Sequence, residues 1–219
     1  MSHPVPRRLI CAALLTLALL PAPARAQATV SIVLTTGDEW VHTWVWKGVR
    51  LSARPQMAFW LADESGALVD TLYVTRRTGR QSWLGGDFTG ESREEMRRPS
   101  ALPVWGHARG VVAEDGVFLP TRDEPLPDAE TGATPRGGFS RTFELPLALP
   151  PGTYHVYAEI NQSLDYDETW AADLPEDDPH YSGGDYGSGQ PSVVWRATIE
   201  VGAAASQQHG APGRRGTVR

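Results

Sequence analysis

"PQMAFWLADESGALVDTLYVTRR", residues 55–77, decides the fold. Two runs dense in aromatic and branched apolar residues, Pro55–Asp63 and Ala67–Arg77, flank the turn signal "ESG". Runs of this composition separated by a short Gly-containing turn predict a β-hairpin. The same texture recurs outward along the chain. "ATVSIVLTT" (28–36) is β-branched and bounded by Gly37. "FSRTFELPL" (139–147) alternates apolar and polar residues. "PPGTYHVYAEINQS" (150–163) carries Tyr154, Val156, Ala158 and Ile160 on one face, and "SVVWRATIEVG" (192–202) repeats that spacing. The runs have a period of 2 rather than 3.6, which is the strand signature. A capping-box pattern, "SREE" at Ser92–Glu95, is the one helix signal, stopped by Pro99. The expected architecture is all-β: a two-sheet antiparallel, immunoglobulin-like sandwich with long loops and at most one or two short helices. Tyr154, after "PPG", is placed as a corner tyrosine of that fold would be, or as an ordinary strand residue.

The ends predict export. Arg7 and Arg8 precede the apolar run "LICAALLTLALL" (9–20), and "PAPARA" closes in Ala-x-Ala, so the expected signal peptide is 1–26 with cleavage after Ala26. The β-sandwich domain is expected over 27–202. The tail 203–219 lacks apolar periodicity and reads as disordered. Cys11, the only cysteine, lies in the export segment, so the mature chain has no disulfide and no thiolate ligand. The full chain carries −6; without Arg7, Arg8 and Arg25 the balance is 17 basic to 26 acidic residues. That charge disfavours nucleic acid and anionic lipid as partners.

Two long segments, Arg76–Gly138 and Ser163–Pro191, interrupt the strands, and loops of this length on a β scaffold are where chemistry is expected. The second holds Asp165, Asp167, Glu168, Asp173, Glu176, Asp177, Asp178 and Asp185 with no Lys or Arg, an oxygen-rich composition compatible with calcium or with a solvated acidic loop. An EF-hand alignment fails because Trp170 stands where the turn glycine belongs. Of eight tryptophans, Trp40, Trp44 and Trp46 cluster in "EWVHTWVWKG". They read either as core packing or as a stacking platform for a ring or a sugar. Trp83, Trp105 and Trp170 lie in the long segments and are the expected ligand contacts. His42, His107, His155 and His180 show no metal-ligand spacing. Nucleophile-elbow, phosphate-loop and dinucleotide fingerprints are absent.

"DAETGAT", residues 128–134, is the most specific motif. Asp128, Thr131, Gly132, Ala133 and Thr134 match the pattern Asp-x-x-Ser/Thr-Gly-Ala/Ser-Thr/Ser. The segment resembles the acceptor sequence of FMN-binding domains in sodium-pumping quinone reductases and ion-translocating ferredoxin reductases. The resemblance implies that an exported flavin transferase esterifies FMN onto Thr134. Pro135 and Arg136 depart from the polar residues usual after that motif. Between Pro127 and Pro135 the peptide is expected to stand away from the sheets, with Gly132 and Ala133 keeping it approachable. Acidic residues near a ring carried there would disfavour its reduced anion. A plain surface turn is the alternative reading of the same residues.

The order "ARPQMAFWLADESGALVDTLYV", "RRPSALPVWGHARG", "DAETGATP", "YHVYAEINQSLDYDE", "GQPSVVW" is similar to predicted periplasmic proteins of a domain-of-unknown-function family (DUF twenty-two seventy-one). That resemblance implies a periplasmic setting near flavin transferases and PepSY-type membrane redox proteins, in iron uptake or envelope electron transfer. The expected function is a redox carrier, a substrate of the transferase rather than a catalyst. The alternative is a cofactor-free β-sandwich that binds a partner protein, a metal ion or a glycan.

Overall fold

The computed structural model describes residues 27–46, 48–80, 98–121, 123–124, 126, 130–184, 187–202 and 217–218. The expected signal peptide, the capping box at 92–95, Trp83 and nearly all of the expected tail lie outside them. Ten strands are present among the described residues. They are β1 (Thr29–Leu34), β2 (His42–Trp46), β3 (Val49–Ala53), β4 (Gln56–Asp63), β5 (Leu68–Thr75), β6 (Glu130–Gly132), β7 (Phe139–Glu144), β8 (Gly152–Asn161), β9 (Val193–Val201) and β10 (Thr217–Val218). Two short helices, α1 (Arg76–Gly79) and α2 (Pro103–Ala108), lie in the first long segment. No helix among the described residues is long and apolar enough to cross a membrane.

The hairpin read from residues 55–77 is the centre of the molecule. β4 and β5 pair antiparallel, with two register shifts along β4, at Phe59/Trp60 and at Leu61/Ala62. Its turn is held by the Asp63 carboxylate, which accepts from Ser65 N (2.9 Å), Ser65 Oγ (2.6 Å) and Ala67 N (3.0 Å). The Ser65 hydroxyl, ahead of the backbone donors, holds the Asp63 carboxyl below its usual pKa. Gly66 takes φ +90°, which a residue with a Cβ rarely adopts. β8 pairs with the other side of β4 and β9 with β8, giving a five-stranded sheet in the order β6-β5-β4-β8-β9, antiparallel except for β6. The second sheet, β10-β1-β7, is antiparallel between β1 and β7, with β10 adding a two-residue parallel pairing.

The two sheets face each other across one core. β1 contributes Val30 and Ile32, β7 contributes Phe143, and β4 contributes its odd-numbered Met57, Phe59 and Leu61. Phe59, Tyr73, Phe139 and Phe143 pack ring against ring at centroid distances of 5.3–6.4 Å. Full burial of such a side chain, as at Phe59, contributes about 1.5–3 kcal/mol of transfer free energy, and the partly buried Phe139 contributes less. Tyr154 donates its hydroxyl to Pro150 O, four residues back, at 2.9 Å, which is the corner arrangement weighed from the sequence. The all-β sandwich of antiparallel sheets is therefore as expected.

Two features differ from a plain two-sheet sandwich. β2 and β3 form a separate two-stranded ribbon rather than joining either sheet. The even-numbered residues of β4, which a half-exposed strand would turn to water, are buried too. Ala58, Trp60 and Ala62 form a second core with Val74, Leu102, Trp105 and Leu119. The first long segment supplies that cover, with α2 lying over the outer face. Trp105, expected as a ligand contact, is completely buried there, and its Nε1 donates to Thr71 Oγ1 at 3.1 Å. β4 is covered on both faces, and its unbroken apolar run "MAFWLA" is the sequence signature of such a strand.

Glu159 fastens this cover. It sits on β8, fully buried, and accepts from Trp105 N (2.7 Å) and Val104 N (3.1 Å) at the start of α2 and from Ser192 Oγ (2.7 Å). Burial pushes its carboxyl above the usual pKa of 4.5, and the three donors only partly oppose that shift.

Candidate functional site

Contrary to expectation, the described part of the acceptor-like segment, residues 130–134, does not stand away from the sheets. Glu130–Gly132 is strand β6, paired in parallel with β5 through Tyr73↔Glu130, Val74↔Thr131 and Thr75↔Gly132. The reason is local packing. A Cβ at Gly132 would lie 2.8 Å from the Tyr73 hydroxyl oxygen, so glycine allows the chain to close onto that ring. Thr131 closes on α1 in the same way, with its Cγ2 3.2 Å from where a Cβ on Gly79 would sit. The Tyr73 phenol donates to Ala133 O at 3.3 Å, and burial raises its pKa above the ordinary 10.0, so it remains a donor.

Beyond Gly132 the backbone turns out of the sheet. Ala133 is exposed and Thr134 half-buried. Thr134 Oγ1 donates to Pro55 O at 2.7 Å, and the next residue, Pro135, accepts from Trp40 Nε1 at 3.0 Å. Trp40 thus packs against the first core and pins this segment. Asp128 lies outside the described residues, and Thr131 is not part of the cavity wall.

Gly132, Ala133 and Thr134 line a cavity of about 290 Å³, at the lower edge of ligand-sized pockets. Its other walls come from the end of β3, the start of β4 and the β5–α1 junction. Those walls place Arg54, Arg76 and Arg77 around it, with no carboxylate among the described lining residues. Gln56, at its base, accepts from Thr75 Oγ1 (2.7 Å) and Thr78 Oγ1 (3.1 Å), a buried network that holds the β5–α1 turn. Arg54 Nε is buried and has no hydrogen-bond partner among the described residues. Three arginines around one cavity suit an anion with several acceptor oxygens, and phosphate geometry fits the guanidinium fork. No family model, no curated protein and no solved structure matches this chain.

The arginine grouping escaped the sequence reading because Arg54 lies on a different segment from the adjacent Arg76 and Arg77. The only trace is "TRR" directly after β5, two adjacent cations at a strand end. Among the described lining residues every charged side chain beside Thr134 is an arginine, in a chain that is acidic overall.

The acidic segment organises itself around backbone donors. Asp167 Oδ1 accepts from Thr169 N and Trp170 N, both at 2.8 Å, and Asp178 Oδ1 accepts from His180 N at 2.8 Å and lies 3.3 Å from His180 Nδ1. Trp170 stands edge-on to the His180 ring, 4.9 Å between centroids. Asp165 bridges to Gly189, and burial raises its carboxyl pKa. Among the described residues no three His, Cys, Asp or Glu side chains converge as metal ligands. In the ribbon, His42 stacks on Trp44 at 5.7 Å.

Proposed function

We propose that this chain is an exported, periplasmic domain that carries FMN esterified to Thr134 and relays electrons between envelope redox proteins. One observation carries the reading. The threonine that the acceptor motif singles out is among the residues lining a cavity with Arg54, Arg76 and Arg77, and those cations suit the phosphodiester that esterification would create. The bound flavin would supply the redox chemistry, and the chain supplies the tether, the charge and the shape around it.

In the attachment step, the Thr134 oxygen bonds to the flavin-side phosphorus of FAD as the anhydride bond breaks. AMP leaves with the electron pair, and the hydroxyl proton passes to a base of the transferase. Thr134 must first release Pro55 O, which costs about 1 kcal/mol, so its present hydrogen bond is no barrier to attack. The arginines would neutralise the phosphodiester and favour a reduced, anionic ring, the opposite of the effect expected from the acidic composition.

A second reading keeps the cavity and drops the covalent bond. Gly132 is required by Tyr73, and Thr134 Oγ1 already has a partner, so both motif residues have structural duties independent of any transferase. The domain would then be a cofactor-free binding module. Co-expression with an exported flavin transferase separates the two. Flavin fluorescence that survives a denaturing gel, with the mass of one FMN ester, is expected for the native chain and for Thr134→Ser, and is lost in Thr134→Ala. An unmodified native chain beside a positive-control acceptor refutes the carrier reading.

A further inference from the structure

Strand β9 closes one edge of the five-stranded sheet, and its outer side pairs with no strand among the described residues. At the opposite edge β6 is only three residues long, whereas β9 runs for nine, from Val193 to Val201. Natural sheets protect long edges with charged side chains, lysine above all, with proline or with a bulge, and β9 carries one charge of each sign, Arg196 and Glu200. β9 has neither Lys nor Pro, its pairing with β8 runs through nine successive residues without a register shift, and apolar side chains are exposed on it. Val193, Val194 and Trp195 are 54%, 37% and 40% exposed. Arg196 is exposed on the same strand, two residues after Val194.

We propose that this edge pairs antiparallel with the β9 edge of a second copy of the chain, about a two-fold axis through Thr198. The occupant follows from the sequence of the strand, which is complementary to its own reverse. With Thr198 opposite Thr198, Arg196 of each copy stands opposite Glu200 of the other, giving two symmetric ion pairs on one face. On the other face Trp195 stands opposite Val201 and Ala197 opposite Ile199, an all-apolar set. Ala197, Ile199 and Val201 already pack on the first core, so this face continues the core side of the sheet across the axis. Shifting the axis by one residue, to Ala197 or Ile199, sets Arg196 against Thr198 or against Gly202 and pairs no charges. Hydrogen bonds from the exposed edge N–H and C=O groups supply the rest, as in other strand additions. The pairing is compatible with either reading of the Thr134 cavity, whose lining residues lie on other elements.

A single strand pair buries less than a standard interface, so a micromolar dimer is expected. Sedimentation equilibrium of the full-length chain, expressed with its own N-terminal segment and recovered in soluble form, should show a monomer–dimer equilibrium. Arg196→Glu sets carboxylate against carboxylate at both ion-pair positions, and Glu200→Arg sets guanidinium against guanidinium there. Each should weaken the homodimer roughly tenfold or more, through two like-charge pairs. Mixing the two variants brings the two introduced side chains opposite one another and leaves the native Arg196 opposite the native Glu200. Both positions then carry opposite charges, so a heterodimer of native affinity should form. Unchanged circular dichroism and Tm in each variant shows that the strand remains folded, a needed control because Glu200 also accepts from Thr153 Oγ1 at 2.9 Å. A monomer at every concentration overturns the proposal. A dimer indifferent to both variants places the interface elsewhere and also overturns it. Weakened homodimers that mixing fails to restore reject the register.

Discussion

Replacing Glu159 by alanine tests whether the long first segment is held onto the outer face of the sheet by one buried carboxylate. The substitution removes three hydrogen bonds, from Trp105 N, Val104 N and Ser192 Oγ. Ser192 is part-exposed and recovers water, whereas Trp105 N is buried and stays unpaired. Two lost charge-assisted bonds at about 1.5–3 kcal/mol each set the gross loss, and relief of carboxylate desolvation offsets part of it. The net expectation is about 2–4 kcal/mol of destabilisation. For a domain of this size that is a fall in Tm of roughly 5–15 °C. Glu159→Gln keeps one acceptor for two N–H donors and should lose about half as much. The pH dependence has a definite sign. Because burial raises the folded-state pKa above 4.5, the folded chain binds the proton more tightly than the unfolded chain does. Stability contributed by protonated Glu159 is therefore fully present below 4.5 and is lost as pH rises through the raised value. Urea denaturation of the native chain and Glu159→Gln across that range isolates the effect: the difference between them should narrow as pH rises. A Glu159→Ala midpoint equal to native, or a difference that widens with pH, refutes the reasoning.

Gly132→Ala should destabilise by about 1–3 kcal/mol, because its Cβ meets the Tyr73 hydroxyl at 2.8 Å on a ring already packed among phenylalanines. Adding Tyr73→Phe removes that oxygen and should recover part of the loss, so a strictly additive double variant in urea melts would show that the clash is not the cause. Tyr154→Phe removes the bond to Pro150 O and should cost about 1 kcal/mol in the same melts, with no change in the slope of the transition.

Strand periodicity along 55–77, 139–163 and 192–202 was sufficient for the all-β class, because alternation is a local property of the chain. Tyr154 was legible for a related reason, since its partner lies only four residues away. The two-sided burial of β4 was written in "MAFWLA", yet what covered its outer face was not. The covering residues, Leu102, Trp105 and Leu119, come from a distant segment of the chain, beyond a break in periodicity. Trp105 therefore read as a spare aromatic in a loop, and became core only once Glu159 drew α2 down.

The candidate site divides along the same line. Residues 131–134 could be singled out in the sequence because a motif is contiguous. That three of them, Gly132, Ala133 and Thr134, close one end of a cavity lined by Arg54, Arg76 and Arg77 depends on β3, β5 and β6 meeting at one corner. The chain by itself determined the strand pattern, the lone cysteine and the acidic balance, all properties of neighbouring residues or of simple sums. Tertiary structure alone decided which side chains share a solvent-excluded space, because burial and field strength depend on distances between segments that sequence order does not encode.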